Sequence, residues 1–247
     1  MTDPLIRKII DTDLIPTDTL LERRNAVYSY LSPVSYLTAR RHRALFMHTD
    51  GILMDGSILC LFVKWFYGFK IQRPAFVSEI LVPKLFKYAI SKQKGIYIVG
   101  GSQDEINTTV SVLKKLYPGI AIIGYRNGYF SGEKEKEYEY RHITELAPDY
   151  VLVGMGIINQ ETFLLNLKRT GYSGIGFACG GFISQISMKK GRYYPEWINK
   201  HNLRFLYRIY KEKHTRGRYL KAAVLFPVCF ILDKIRDVGQ DNFFNKQ

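Results

Sequence analysis

Two Asp-Gly turns, Asp50-Gly51 and Asp55-Gly56, bracket one short apolar segment. A carboxylate at a strand end can act as general base, removing a proton from an attacking hydroxyl. The plainer use of Asp-Gly is an Asx turn or a helix N-cap. Asp55 is the stronger candidate, because apolar Met54 and Ile58 flank it and would strip water from it. A second group of chemically apt residues lies where apolar runs end in glycine. These runs are Ile96-Tyr-Ile-Val-Gly100-Gly101, Tyr150-Val-Leu-Val-Gly154-Met-Gly156 with Gln160-Glu161 behind it, and Ile175-Gly-Phe-Ala-Cys-Gly180-Gly181. Glycine lets the backbone approach a ligand closely, and a helix N-terminus behind it offers N–H donors to an anion. Three such junctions predict a sheet whose strand ends share one ligand site. Asn127-Gly-Tyr129-Phe130 follows another apolar run and would bring an amide and a ring to the rim of that site. The alternative is a plain turn with Tyr129 and Phe130 in the core, and for Phe130 that alternative is preferred.

These residues need elements to hold them. Residues 1–24 read as a helical or irregular lead-in, and Ala26–Leu31 as a first strand ended by Ser32-Pro33. Residues 34–47 read as one helix with Arg40, Arg41 and Arg43 outward. Ile52–Met54 reads as a strand end, with the two acidic turns beside it, and Ser57 opens a helix over 58–67. Residues 78–91 read as a helix with Pro83 in its first turn. From Gly95 the chain alternates strands 96–99, 120–124, 150–153 and 175–178 with helices 103–116, 138–146 and 160–169. That rhythm predicts an α/β fold: a Rossmann-like, mostly parallel sheet with helices on both faces. Ligands of such sheets bind beyond the carboxyl ends of the strands, where these glycines lie. No strand pattern follows Pro195, so the division is an α/β domain over 1–195 and a helical appendage over 196–247.

The chain has 247 residues, 47% of them hydrophobic, enough for a substantial core. Its apolar runs are too short to span a bilayer, and no signal peptide is read at its start. Cys60, Cys179 and Cys229 are scattered, which fits a reducing cytoplasm better than a disulfide framework. The formal charge of +14 favours a polyanionic surface, and it is concentrated between Lys189 and Lys221. There, basic residues interleave with Tyr193, Tyr194, Trp197, Phe205, Tyr207 and Tyr210, ahead of the apolar run Ala222–Leu232. This mixture reads as an element for an anionic membrane surface, in preference to a solvated basic helix.

Several classes are disfavoured. Gly154-Met-Gly156 lacks the third glycine of a dinucleotide fingerprint, and no Walker pattern occurs. The five histidines show no metal-ligand spacing, so neither metal nor cofactor is expected. Ser57 and Ser184 lie outside any nucleophile elbow. A nucleic-acid binder using the basic tail is the alternative from another class, but no motif for it is present and no nucleic acid is expected as partner.

In order along the chain, Met54-Asp-Gly56, Lys115-Leu-Tyr-Pro-Gly119, Gly124-Tyr-Arg-Asn-Gly-Tyr-Phe130, Pro148-Asp-Tyr-Val-Leu-Val-Gly-Met-Gly156, Gln160-Glu161, Cys179-Gly-Gly181 and Asn202-Leu-Arg-Phe-Leu-Tyr-Arg208 resemble the WecG/TagA/CpsF family of glycosyltransferases. The resemblance runs from about Ala26 to Ile231. It implies an inverting, metal-independent transfer of a sugar from a UDP-sugar to a sugar on a polyprenyl diphosphate. The reaction would run at the inner face of the cytoplasmic membrane, in surface-polysaccharide or teichoic-acid assembly. By the same resemblance Asp55 is the general base. Gly100, Gly101, Asn127, Tyr129, Gly154, Gly156, Gln160, Glu161, Gly180 and Gly181 are the donor-binding residues, and Arg208, Arg216 and Arg218 close over the diphosphate. Guanidinium suits that last role, since it pairs with developing phosphate charge. The chain departs from the family pattern at Ile158-Asn159, where Pro-Lys is usual, and at Ser184, where Asp is usual. It departs also at Tyr30-Leu31-Ser32, in place of Thr-x-Asn, and at Arg192-Tyr-Tyr-Pro195. These changes cluster around the expected sugar site and leave the donor open; a catalytically inactive homologue is the other alternative, against which Asp55 and the appendage arginines argue. A homo-oligomer in which a neighbour's tail closes the pocket fits the sequence as well as a monomer.

Overall fold

The computed structural model describes residues 3–71, 81–189, 207, 210 and 216–244. Among these, six strands form one parallel sheet: β1 (Ala26–Leu31), β2 (Gly51–Met54), β3 (Gly95–Gly100), β4 (Ala121–Arg126), β5 (Tyr150–Gly154) and β6 (Ile175–Ala178). Their spatial order is β2-β1-β6-β5-β3-β4. The alternation of strands and helices expected from Gly95 onward is present, and the fold is Rossmann-like α/β.

The helices are α1 (Pro4–Asp13), α2 (Thr17–Glu22), α3 (Pro33–Ala39), α4 (Arg43–Met47), α5 (Ser57–Tyr67), α6 (Leu81–Ser91), α7 (Gln103–Leu116), α8 (Glu133–Leu146), α9 (Asn159–Arg169), α10 (Phe182–Lys189) and α11 (Arg216–Phe244). Strand side chains alternate faces, so each central strand feeds two cores. Ile96, Ile98, Tyr150, Leu152, Ile175 and Phe177 pack with α6, α7 and α10. Tyr97, Val99, Val151, Val153 and Ala178 pack with α8 and α9 on the other face. A third core joins the ends of β1 and β2 to α1, α3, α5 and α11, with Phe226 and Phe230 of α11 fully inside it.

Several sequence expectations need correction. The expected single helix over 34–47 is two, because Arg41 and His42 bond back only three residues at the end of α3. Arg40 and Arg43 do not point outward: Arg40 grips Asp233 of α11, and Arg43 pairs with Asp3 of α1. Helix α8 begins at Glu133, not at 138. Glu133 and Glu135 suit its first turn, and Glu135 accepts from Ser131 and Arg126. The two acidic turns lie at opposite ends of β2, roughly 16 Å of extended chain apart at ~3.3 Å per residue. Asp50, at the N-terminal end, accepts from the Val27 amide at 2.8 Å and pairs with Lys168 at 2.7 Å, a structural role.

Helix α11 is less simple than an appendage laid on a surface. Ala222, Phe226, Phe230 and Asp233 face inward and are buried. At 100° per residue, Leu220, Val224, Val228, Ile231 and Ile235 fall within an arc of about 80° on the opposite side, and all are exposed. Phe62 of α5 meets both Phe226 and Phe230 edge-to-face on the packed side of α11, and the same helix α5 leaves Leu61 and the 65% exposed Trp65 outside the core. Among the described residues no helix is long and apolar enough to cross a membrane.

Candidate active site

The sheet's connections change direction between β5 and β3: β3 leads outward to β4, while β5 leads back to β6. A crevice opens at such a switch point, beyond the strand ends. Gly100 and Gly154 end β3 and β5 opposite each other in register. The Gly101 amide donates to the Gly154 carbonyl at 3.4 Å, and the Gly128 amide to the Gly101 carbonyl at 2.9 Å. A Cβ on Gly100 would sit 2.3 Å from the Gly154 oxygen, and one on Gly154 would sit 2.9 Å from the Gly180 oxygen. Only glycine permits these backbones to close into one floor. The expectation that three strand-end junctions converge agrees with this geometry.

Above that floor lies a cleft of about 1040 Å³. Its walls are α3 and on as far as Arg41, the Asp55–Ile58 turn, the Gly154–Gln160 turn, α10 and α11 from Arg218 to Cys229. Asp55 borders it from the end of β2, half-buried, its amide bonded to the Leu31 carbonyl at 2.7 Å. Gly56 follows in a left-handed conformation (φ 93°) and turns the chain into α5, which carries Asp55 at a helix N-terminus. Tyr30 lines the same region. Burial, with Asp55 and Cys179 nearby, pushes its phenol well above the usual value, so it stays a neutral hydrogen-bonding group.

The other sequence-chosen residues divide. Gly101, Tyr129, Gly154, Gly156, Gln160, Gly180 and Gly181 line the cleft, as does Arg218. Tyr129 is 74% exposed at its rim, while Phe130 packs into the α8–α9 core beneath the Arg126 guanidinium. Gly100 lies in the floor and does not line the cleft. Asn127 is also set back from it, bonding Gln103 at 2.9 Å and accepting from the Tyr129 amide at 2.9 Å. Arg216 does not line the cleft and donates to the Tyr210 carbonyl at 3.1 Å. Arg208 and the stretch 190–195 lie outside the described residues, as does most of the basic segment before α11.

Glu161 departs most from its expected place. It is fully buried beneath the cleft, not in its wall. Its carboxylate accepts from the Ser29 hydroxyl at 2.7 Å, the Gln160 amide at 2.8 Å and the Ile158 backbone N–H at 2.6 Å. Burial outweighs these bonds and raises its pKa. Gln160 in turn accepts from the Gly180 amide at 3.1 Å, tying the second junction to the third. Ile158 is held at φ 78°, a strained value for a β-branched residue, and the bond from its N–H to Glu161 secures that turn.

The generic anion-site reading is revised by the same logic. At α7 the Ser102 amide is taken by Glu105 at 2.7 Å, and at α9 the Ile158 amide is taken by Glu161. Each helix N-terminus therefore already faces a carboxylate of its own chain. Glu105 borders the cleft. Burial alone would raise its pKa, but bonds from the Ser102 amide and the Ser184 and Ser102 hydroxyls prevail and hold it below the usual range. Sequence reasoning missed Glu105, although Ser102-x-x-Glu105 is a capping-box pattern after a strand-end glycine pair. It also missed Arg40 and Arg41, which line the cleft from the end of α3. Cationic groups thus reach the cleft from the end of α3 (Arg40, Arg41) and from α11 (Arg218, Lys221).

The sequence profile of the Glycosyl transferase WecG/TagA/CpsF family matches residues 17–239, nearly the whole chain. The chain belongs to this family. It is a glycosyltransferase, as the resemblance implied. It is similar to the UDP-Gal:alpha-D-GlcNAc-diphosphoundecaprenol beta-1,4-galactosyltransferase of Shigella boydii, 29% identical over 96% of this chain and 98% of that protein. It is also similar to the N-acetylglucosaminyldiphosphoundecaprenol N-acetyl-beta-D-mannosaminyltransferases of Bacillus subtilis and Bacillus spizizenii. The first is 30% identical over 51% of this chain and 48% of that protein, the second 28% over 68% and 63%. The family member matched end to end is thus a galactosyltransferase, and those matched in part transfer N-acetylmannosamine.

Proposed function

We propose that this glycosyltransferase moves a hexose or N-acetylhexosamine from a UDP-sugar to a sugar carried on a polyprenyl diphosphate. The carrying observation is one cleft that combines a close-packed glycine floor, the Asp55 carboxylate and the cations of α3 and α11, in a chain matched end to end by a galactosyltransferase named for a diphosphoundecaprenol acceptor. In this reading the acceptor hydroxyl oxygen attacks the anomeric carbon of the donor. Asp55 takes the hydroxyl proton, the bond from that carbon to the diphosphate oxygen breaks, and UDP leaves with the electron pair. Arg218, with Arg208 from the same basic region, is assigned to the diphosphate charge, which guanidinium stabilises best as it develops; Arg216, turned to the Tyr210 carbonyl, is left out of that role. Glu105, a fixed anion, suits hydroxyl groups of the nucleotide sugar and not its phosphates.

Membrane contact belongs to the same proposal. The exposed stripe Leu220–Val224–Val228–Ile231–Ile235 is apolar surface opposite the packed face of α11. With the basic residues that precede it, this surface suits an anionic bilayer at the level where a polyprenyl acceptor lies. The protein would then act peripherally on the inner face of the cell membrane. Family membership favours this over the nucleic-acid reading of the basic tail.

The test is a panel of UDP-sugars offered with an N-acetylglucosaminyl-diphosphoprenol acceptor, following UDP release and the glycolipid product. Acceptor-dependent release from at least one donor is expected. Failure of every hexose and N-acetylhexosamine donor to give product would overturn the assignment. Flotation with anionic vesicles against a DNA mobility-shift assay separates membrane from nucleic acid.

A further inference from the structure

Asp233 of α11 is an acidic group at the edge of the third core, against Tyr36, and it is 3% exposed. Its Oδ2 accepts from the Tyr36 hydroxyl at 2.9 Å and from Arg40 Nε at 2.7 Å, while its Oδ1 accepts from Arg40 Nη2 at 2.7 Å. Arg43 lies 3.4 Å away and also pairs with buried Asp3, so the cluster joins α11, α3, α4 and α1. Burial works against the Asp233 carboxylate, but the bonds from Arg40 and Tyr36 and the two guanidinium charges prevail and hold its pKa below the usual carboxylate value. Around it the α3–α11 contact is aromatic and aliphatic: Tyr36 against Phe226 and Phe230, and Phe62 against both. Apolar packing of this kind tolerates sliding, since a helix shifted by one turn still presents apolar residues. A bidentate guanidinium–carboxylate pair does not tolerate it, because both bonds are lost together.

The cleft depends on that register. Arg218, Tyr219, Lys221, Ala222 and Phe226 line it from the first part of α11. Pro227, inside the helix, separates that part from the segment holding Asp233, and proline removes one rung of the hydrogen-bond ladder there. Arg40, the partner of Asp233, is itself a cleft-lining residue. We infer that Asp233 is a positioning residue for sugar transfer: its clamp on Arg40 and Tyr36 fixes the register of α11 on α3, and so places both the α11 cations and Arg40 at the cleft. The inference rests on the glycosyltransferase reading for its kinetic consequence but not for its structural one. In this reading the buried pair acts by fixing register, a use attested for buried polar groups, rather than by adding stability.

The test compares Asp233→Leu and Asp233→Asn with the wild-type protein, at a temperature where circular dichroism shows each folded. Asp233→Leu keeps an apolar fill but abolishes the clamp, and Asp233→Asn retains one acceptor oxygen. Two readouts are taken. Amide exchange over 216–226 is expected to speed in Asp233→Leu while strands β3 and β5 stay protected. The kcat/KM for the lipid acceptor is expected to fall at least about tenfold, chiefly in kcat because Arg218 serves the departing diphosphate, as misplacement of positioning groups does, with Asp233→Asn intermediate. Wild-type exchange over 216–226 and wild-type acceptor kinetics in folded Asp233→Leu would overturn the inference. If Asp233→Leu does not fold, Asp233→Asn decides by the same two readouts. If the wild-type protein transfers no sugar, exchange alone decides the clamp, so the two failures are distinct.

Discussion

Gly100→Ala probes the cleft floor at its tightest point. The new methyl would lie 2.3 Å from the Gly154 oxygen, 2.8 Å from the Gly154 carbonyl carbon and 2.7 Å from Ile183 Cδ1. Ile183 can rotate away, but Gly154 is fixed by the β3–β5 register and cannot. Gly100 also has φ 145°, a region that residues with a Cβ essentially avoid. The backbone conformation costs about 1–3 kcal/mol, and forcing a methyl into packed backbone about 1–3 kcal/mol more. The sum, about 2–6 kcal/mol, is a large part of the roughly 5–15 kcal/mol that holds a folded protein. For a chain of this size it lowers Tm on the order of 10 °C. Gly217→Ala is the control, because a Cβ there meets nothing within 4 Å and sits in a helix. Thermal unfolding by circular dichroism measures both variants. A Gly100→Ala protein with Tm within about 2 °C of wild type would refute the close approach of these strand ends.

Other expectations follow from the same geometry. Glu161→Gln turns an amide N–H₂ toward the Ile158 N–H or gives up a bond from Ser29 or Gln160. It should cost about 1–3 kcal/mol and weaken donor binding through the loosened Gly156–Asn159 turn, read by thermal unfolding and donor KM. Val224→Asp should reduce flotation with anionic vesicles while leaving the thermal midpoint nearly unchanged, since Val224 is 68% exposed. The Asp233 clamp has a defined pH sign. Its folded pKa is depressed, so its contribution is complete above the ordinary carboxylate value of 3.8 and is lost as pH falls through the folded value. Trp65 fluorescence in a Trp197→Phe background should therefore show an acid transition below about pH 4 that Asp233→Asn lacks.

Much of this was legible in the sequence where one interaction dominates. Apolar runs of four to six residues ending in Gly-Gly or Gly-x-Gly specified β3, β5, β6 and their convergence, because strand burial and positive φ leave few alternatives. The family resemblance carried Asp55, which the structure sets at the cleft border. What the sequence hid were partnerships between distant segments. Glu161 beside Gln160 looks like a pocket pair, yet a bond to Ser29, 132 residues away, draws it under the floor. Arg40 looks like a solvated helix residue until Asp233, 193 residues later, meets it. Asp50 and Asp55 look alike as Asp-Gly turns, and only the direction of β2 separates a structural carboxylate from one facing the cleft. The apolar run Ala222–Leu232 of α11 reads as a membrane face, and its periodicity hides that Ala222, Phe226 and Phe230 are core.

The central claim is that Asp55 takes the acceptor proton in a sugar transfer at this cleft. Its most direct test is single-turnover transfer from the preferred UDP-sugar to the diphosphoprenol acceptor, comparing wild-type protein with Asp55→Asn. The account predicts a drop of about 10²–10⁴-fold in the transfer step, the usual worth of a general base, with donor binding and thermal midpoint close to wild type. Transfer by Asp55→Asn at the wild-type rate would contradict it.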